Sequence, residues 1–258
     1  MAEIDEELEK RLTQIDHQLY EEQKTKAQGI IEYTQALLKA SEISAETDFQ
    51  KVTIFLFVKG FHIFQAIELL CQKGHALSAT ILLRTLLEDT ANLLYIYRRP
   101  QKRSKRFLAH GPAGTLVMLE ALEYINPGFA GTPLYEAAKK MMSEQRKGID
   151  FDYKPEYNWA RKSHAEIIKE TLPNLYFGYW KSACFVAHPN VLEFGQYLRE
   201  KDGKLRVQSE PTKSYRAYAL LAAQGCFLFL LEIFSKVLKI ELSPEVMGII
   251  EEQKRLYS

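Results

Sequence analysis

The sequence predicts an all-α protein: a multi-helix bundle with a long N-terminal helical arm and one small β-hairpin near residues 194–207. Three observations carry this. Apolar residues recur at steps of three and four along most of the 258 residues, the period of a helix face rather than of a strand. Helix punctuation is regular, with Thr132-Pro133 and Ser243-Pro244 suited to N-cap and first-turn positions and Gly74 suited to a stop. Alternation around a turn dipeptide, Asp202-Gly203, is confined to residues 191–210. A chain this long can bury roughly 70–75% of its unfolded surface in one core, without staples.

Taken in order, residues 4–38 hold no proline and one glycine, and Ile4, Leu8, Leu12, Ile15 and Leu19 form a narrow stripe on a charged helix. Such a stripe is closer to a coiled-coil seam than to a core face, so the arm packs on its own domain or forms a homodimer contact. Ser44 or Thr47 can cap the next helix, which is apolar on most sides and runs to about Gln72. The short connection at Gly74 folds Ala76–Tyr97 back as a helical hairpin. A helix over 101–125 follows, with Gly111-Pro112 expected to kink or interrupt it. Turns at Asn126-Pro127-Gly128 and at Gly131 lead into a helix over 133–147. Residues 148–158 read as a packed aromatic loop. Helices over 163–171 and 175–187, the hairpin, a long buried helix over 212–240 and a last helix from Ser243 complete the chain. No repeat or linker appears. The expected organisation is an arm, 1–40, and a single helical domain, 41–258.

Composition narrows the function. Hydrophobic residues make up 47% and charged residues 26%, ordinary for a globular protein, and a net charge of +1 argues against a globally basic nucleic-acid binder. Cys71, Cys184 and Cys226 are odd in number and widely spaced, which points to reduced thiols and a cytoplasmic location. The acidic N-terminus carries no apolar signal segment. Residues 52–71 contain Lys59, His62 and Glu68, and 217–231 is only 15 residues long, so both read as buried helices with no membrane role. P-loop, GxGxxG, GxSxG, HExxH and ferritin-like carboxylate patterns are absent, so neither a cofactor nor a metal is expected.

The candidate chemistry centres on residues 76–97. Stepping about 100° per residue puts Leu82, Leu83, Leu86, Leu93 and Leu94 on one core face. Arg84 and Glu88 share a second stripe with Leu77, Ile81 and Tyr95, while Ser78, Thr85 and Asp89 lie further round. An Arg–Glu pair set among apolar residues needs a partner from another helix, because two desolvated charges are costly. It either holds the core or presents an arginine to a small anion or nucleotide. Tyr176, Trp180, Cys184 and His188 recur every four residues and line one helix face, the expected partner. A basic run, RRPQKRSKR over 98–106, could contact phosphates or simply be solvated. Cys184 with His188 could form a thiol–imidazole pair, though no third group orients it.

Several of these segments together, LLRTLLEDTANLLYIY, RFLAH, YNWARKS and YFGYWKSACFVAHP, resemble a bacterial family known as domain of unknown function 5677, over about residues 73–197. The resemblance implies a polar cluster of Arg84, Glu88, Trp159, Tyr176 and His188. It also implies a serine one turn before that histidine, where this chain has Cys184. A looser similarity is to HEPN-type helical ribonucleases, which carry an arginine, then four to six intervening residues, then a histidine. Arg103 with His110 fits that spacing, and Lys181 with His188 fits it with lysine in place of arginine. The similarity implies a metal-independent ribonuclease of stress or phage-defence type, its histidine acting as acid–base on a 2′-hydroxyl. The expected catalytic set is His188, Arg84 and Glu88. The expected binding set is Arg103, His110, Trp159, Tyr176, Trp180 and Cys184.

Overall fold

The computed structural model describes residues 6–146, 159–187, 198–201, 204–207 and 215–257. The architecture is all-α, as the periodicity predicts. Helix α1 spans Glu6–Ala40, α2 Asp48–Gln72, α3 Ala76–Tyr97, α4 Pro100–Ile125 and α5 Pro133–Arg146. Then come α6 (His164–Thr171), the short α7 (Pro173–Leu175), a π-helical turn (Tyr176–Trp180) and α8 (Lys181–Ala187). Strands β1 (Leu198–Lys201) and β2 (Lys204–Val207) pair antiparallel with Leu198 opposite Val207, the register of a two-residue turn. This pair is a minor feature. Helices α9 (Arg216–Leu238) and α10 (Pro244–Tyr257) close the chain.

Local chemistry sets these boundaries. Thr47, not Ser44, caps α2: its hydroxyl accepts from the Gln50 amide while the Gln50 side chain returns the bond to Thr47. Gly74, at φ +83°, takes the left-handed conformation that ends α2. Pro100 opens α4, which runs unbroken through Gly111-Pro112, so the expected interruption does not occur. Thr132 caps α5, its hydroxyl accepting from the Tyr135 amide at 3.3 Å. Ser163 and Glu166 form a second reciprocal cap at the start of α6. The expected packed loop over 148–158 lies outside the described residues.

Three helices make the centre of the core. The α2–α3 hairpin packs against α9, and Phe227 of α9 sits among Phe57, Phe61 and Phe64 of α2 at 5.0–5.6 Å between ring centroids. Truncating a phenylalanine in such a place costs about 3–5 kcal/mol. Gly60 permits the approach: a Cβ there would lie 2.3 Å from Leu230 Cδ1. By length and composition α2 and α9 could each cross a membrane, yet α9 is almost wholly enclosed by protein and α2 is enclosed on the face it turns to α3 and α9.

Helix α1 differs from the expected seam in its second half. Tyr20, Gln23, Ala27, Ile30 and Thr34 are buried, and the helix packs on α9. Ile15 and Leu19, from the expected stripe, remain 52% and 49% exposed. Asp16 lies where α9 begins, with its carboxylate hydrogen-bonded to the backbone of Tyr215 and Ala217. It therefore caps α9 from another helix, which Tyr215 (φ +69°) does not do with its own side chain. At the far end, α10 is fixed to α9 by Glu232, which is buried and paired with Lys236 at 2.6 Å and Lys254 at 2.5 Å.

Helix α3 lies between two groups of helices. One flank meets α2 and α9; the other meets α6, the π-turn and α8. Its buried residues accordingly include Asp89, Thr90 and Asn92 as well as leucines. Ile81, expected in the apolar stripe beside Arg84, is exposed instead.

Candidate functional site

Each polar side chain in the middle of α3 ties down a different neighbour. Asp89 is buried and faces α2, where Lys59 Nζ lies 2.9 and 2.8 Å from its two oxygens. Burial pushes the Asp89 carboxyl above its usual range, and the bond to Lys59 offsets only part of that. Asn92 accepts from the Trp159 indole N–H at 3.2 Å. Trp159 is itself buried edge-on to Tyr95 and Phe107. These contacts serve packing.

The Arg84–Glu88 pair is different because its carboxylate takes partners from more than one segment. Arg84 Nε donates to Glu88 Oε1 at 3.0 Å, with the side chains 29% and 17% exposed. Trp180, from the π-turn, donates its indole N–H to the same oxygen at 3.4 Å. The second oxygen, Oε2, lies 3.3 Å from His164 Nδ1 at the first position of α6. One carboxylate thus joins three segments, α3, α6 and the π-turn. Burial alone would raise its pKa, but the hydrogen bonds and charges of His164 and Arg84 outweigh this and hold it below the usual carboxylate range.

The π-turn shapes the outer wall of this cluster. The Lys181 amide reaches back five residues to the Tyr176 carbonyl, which widens the helix by one residue. The hydroxyls of Ser182 and Tyr218, 2.9 Å apart, both lie within hydrogen-bond reach of the Gly178 carbonyl and hold the turn against α9. Tyr176 and Trp180 stay stacked across the turn, 5.4 Å apart and 17° from parallel. The Arg84 guanidinium lies 5.8 Å from the Trp180 ring centroid, and Lys181 Nζ lies 5.5 Å from Tyr176 and 5.0 Å from the exposed Phe177. Cys184, half-buried on α8, feels the charges of Arg84 and Glu88; burial pushes its thiol pKa up.

The structure brings Arg84, Glu88, Tyr176, Trp180 and Cys184 together and adds His164, to which the sequence does not point. The signal for His164 was present in Ser163–Glu166, a capping box that sets the histidine at a helix start, but nothing local links it to Glu88, 76 positions upstream. Trp159 lies one turn further along α3, on Asn92. Arg103 is engaged elsewhere. Its guanidinium carbon lies 3.4 Å from the Tyr95 ring centroid and its Nη1 donates to the Tyr95 carbonyl, so it fastens α4 to the end of α3. Arg98 of the basic run pairs with Glu170 at 3.1 Å. His110 is half-buried on α4, and burial lowers its pKa. His188, with Pro189, lies outside the described residues. Among the described residues no three His, Cys, Asp or Glu side chains group to hold a metal ion.

A family model described as a family of unknown function, DUF5677, matches residues 50–205, more than half of the chain and all of the cluster around Glu88. No curated protein matches the chain. No solved structure matches it.

Proposed function

We propose, for a chain that belongs to the DUF5677 family of unknown function, that the cluster around Glu88 binds a small anion of nucleotide type. The aromatic side chains of the π-turn would take the base, and Arg84, His164 and Lys181 the phosphate. The observation that carries this reading is the Tyr176–Trp180 stack flanked by two cations, Arg84 and Lys181. Aromatic faces stack on bases without regard to sequence, and an arginine held by a carboxylate is already oriented for an anion. Glu88 positions the donors and does not itself contact the ligand. The test is a thermal-shift and calorimetric series with inorganic phosphate, mononucleotides and short oligoribonucleotides. A ligand at 100 times its Kd raises stability by about 2.7 kcal/mol, and Arg84→Gln should abolish that gain. Absence of any shift up to about 100 times a millimolar Kd would reject the reading.

A second reading, a metal-independent ribonuclease, is favoured by the contact between Glu88 and His164. A carboxylate on Nδ1 fixes the tautomer of an imidazole and turns Nε2 outward, and the His164 side chain is 43% exposed. His164, rather than His110 or His188, would then take the proton of a 2′-hydroxyl as its oxygen attacks phosphorus. The products are a 2′,3′-cyclic phosphate and a free 5′-hydroxyl, with Arg84 facing the phosphate charge. The reading requires cleavage of an oligoribonucleotide in the presence of EDTA by the wild type, none by His164→Ala, and none of the deoxy substrate. If the wild type binds RNA without cutting it, the ribonuclease reading fails and the binding reading stands.

A further inference from the structure

A second concavity shares none of its described lining residues with the Glu88 cluster. It has a volume of about 310 Å³ and is bordered by α1, the start of α9 and the back of the π-turn. Three tyrosines line it, Tyr179, Tyr215 and Tyr218, together with the Asp16 carboxylate and the Gln23 amide; Ile15 and Leu19 supply its aliphatic edge. The Tyr179 and Tyr218 rings lie 4.5 Å apart at 32°, and the Tyr218 hydroxyl is turned toward the π-turn, where it meets Ser182. Among the described residues the lining carries one carboxylate and no lysine or arginine. Arg216 stands behind this wall, over the Tyr20 ring, with its Nε a long 4.0 Å from Asp16.

Aromatic faces carry negative charge at their centres and attract cations, most strongly where water is excluded. A carboxylate beside three tyrosines, with an apolar rim, is complementary to one ligand chemistry. We propose that this concavity is a site for a small organic ammonium ion with an apolar body, held by the rings of Tyr179, Tyr215 and Tyr218 and by the Asp16 carboxylate. Its volume is at the lower end of the range for small-molecule sites, about 300–1,000 Å³. Burial, which raises the Asp16 carboxyl above its usual pKa, leaves that carboxylate poorly solvated and disposed toward a cation. Tyr215 contributes an exposed side chain, 55% accessible, at the point where α9 begins. Of the described lining, all but Tyr179 falls outside the matched family region, so the site would belong to this chain rather than to the shared domain.

The probe pair is choline and its neutral isostere 3,3-dimethylbutan-1-ol, titrated into the full chain by calorimetry. Choline should bind about tenfold or more tighter than the isostere. Asp16→Asn keeps an oxygen that can cap α9 while removing the charge, and Tyr215→Leu keeps the apolar bulk while removing the ring. Each should reduce choline affinity several-fold, with helical circular dichroism unchanged. Should Asp16→Asn loosen α9, Tyr215→Leu alone still decides, because its side chain is exposed. Equal affinity for the two probes, no binding of either, or unaltered choline affinity in Tyr215→Leu would overturn the proposal.

Discussion

Replacing Glu88 by alanine tests whether one carboxylate holds three segments together. The substitution removes the acceptor of Arg84 Nε at 3.0 Å, of the Trp180 indole at 3.4 Å and the partner of His164 at 3.3 Å. Hydrogen bonds to a charged group contribute about 1.5–3 kcal/mol each, and breaking a buried ion pair costs about 3–5 kcal/mol. Here the Trp180 bond is long and His164 is well exposed to screening, so the expected loss is about 3 kcal/mol, at the lower end of that range. For a chain of this size that is a fall in Tm of about 6–12 °C. Glu88→Gln, which keeps the shape and one acceptor, should lose about half as much. The pH dependence has a definite sign. The Glu88 pKa is lowered in the folded state, so its contribution is full above the unfolded carboxylate value and disappears as pH falls through the folded one. The gap between wild type and Glu88→Gln should therefore be full above the unfolded carboxylate range and close as pH falls through the lowered folded value. Scanning calorimetry at stepped pH checks both. A Tm for Glu88→Ala within about 2 °C of wild type, or a gap that persists at low pH, would refute the reasoning.

Three further outcomes follow from the same geometry. Lys59→Met should destabilise by about 2–4 kcal/mol, because it leaves the buried Asp89 charge without its partner, and adding Asp89→Asn should restore part of the loss; a double variant no better than the single would contradict this. Alkylation of the native protein should modify Cys184 alone, since Cys226 is wholly buried and the Cys71 thiol is pushed up to about 12 by burial; mass spectrometry showing labelled Cys71 or Cys226 would reject it. If the N-terminal stripe forms a homodimer contact, the exposed residues of it that the structure describes are Ile15 and Leu19. Ile15→Glu with Leu19→Glu should then halve the mass seen in light scattering without unfolding the chain. Deleting residues 1–38 would not make that test cleanly, as it strips Tyr20, Ala27 and Ile30 from the core.

The helices were legible because their boundaries are set locally. Thr47 with Gln50, Ser163 with Glu166, and the prolines at 100, 133 and 244 act within one turn of where they stand. The Arg84–Glu88 pair and its need for a partner were legible for the same reason, being four residues apart on a helix of known pitch. What was hidden depends on distance along the chain. Nothing near Tyr176 announces a five-residue hydrogen bond, since a stripe of four-residue spacing reads the same with or without it; the wide turn is secured by Tyr218, 40 positions downstream of Gly178. The angular count groups Asp89 with Ser78 and Thr85, but it does not show that Lys59 on α2 reaches the carboxylate and allows its burial. Arg103 looked free for phosphate, and only the end of α3, folded beneath it, shows where its charge is used.

The most direct test of the Glu88 cluster as a binding site uses the chain's two tryptophans, of which Trp159 is buried and Trp180 partly open. Titrating a nucleotide or oligoribonucleotide while following tryptophan emission should give saturable quenching in the wild type. The quenching should vanish in Trp180→Phe and weaken at least tenfold in Arg84→Gln, the loss expected for about 1.4 kcal/mol or more of charge-assisted contact. Emission that does not respond to any nucleotide, or quenching that survives unchanged in Trp180→Phe, would contradict the account.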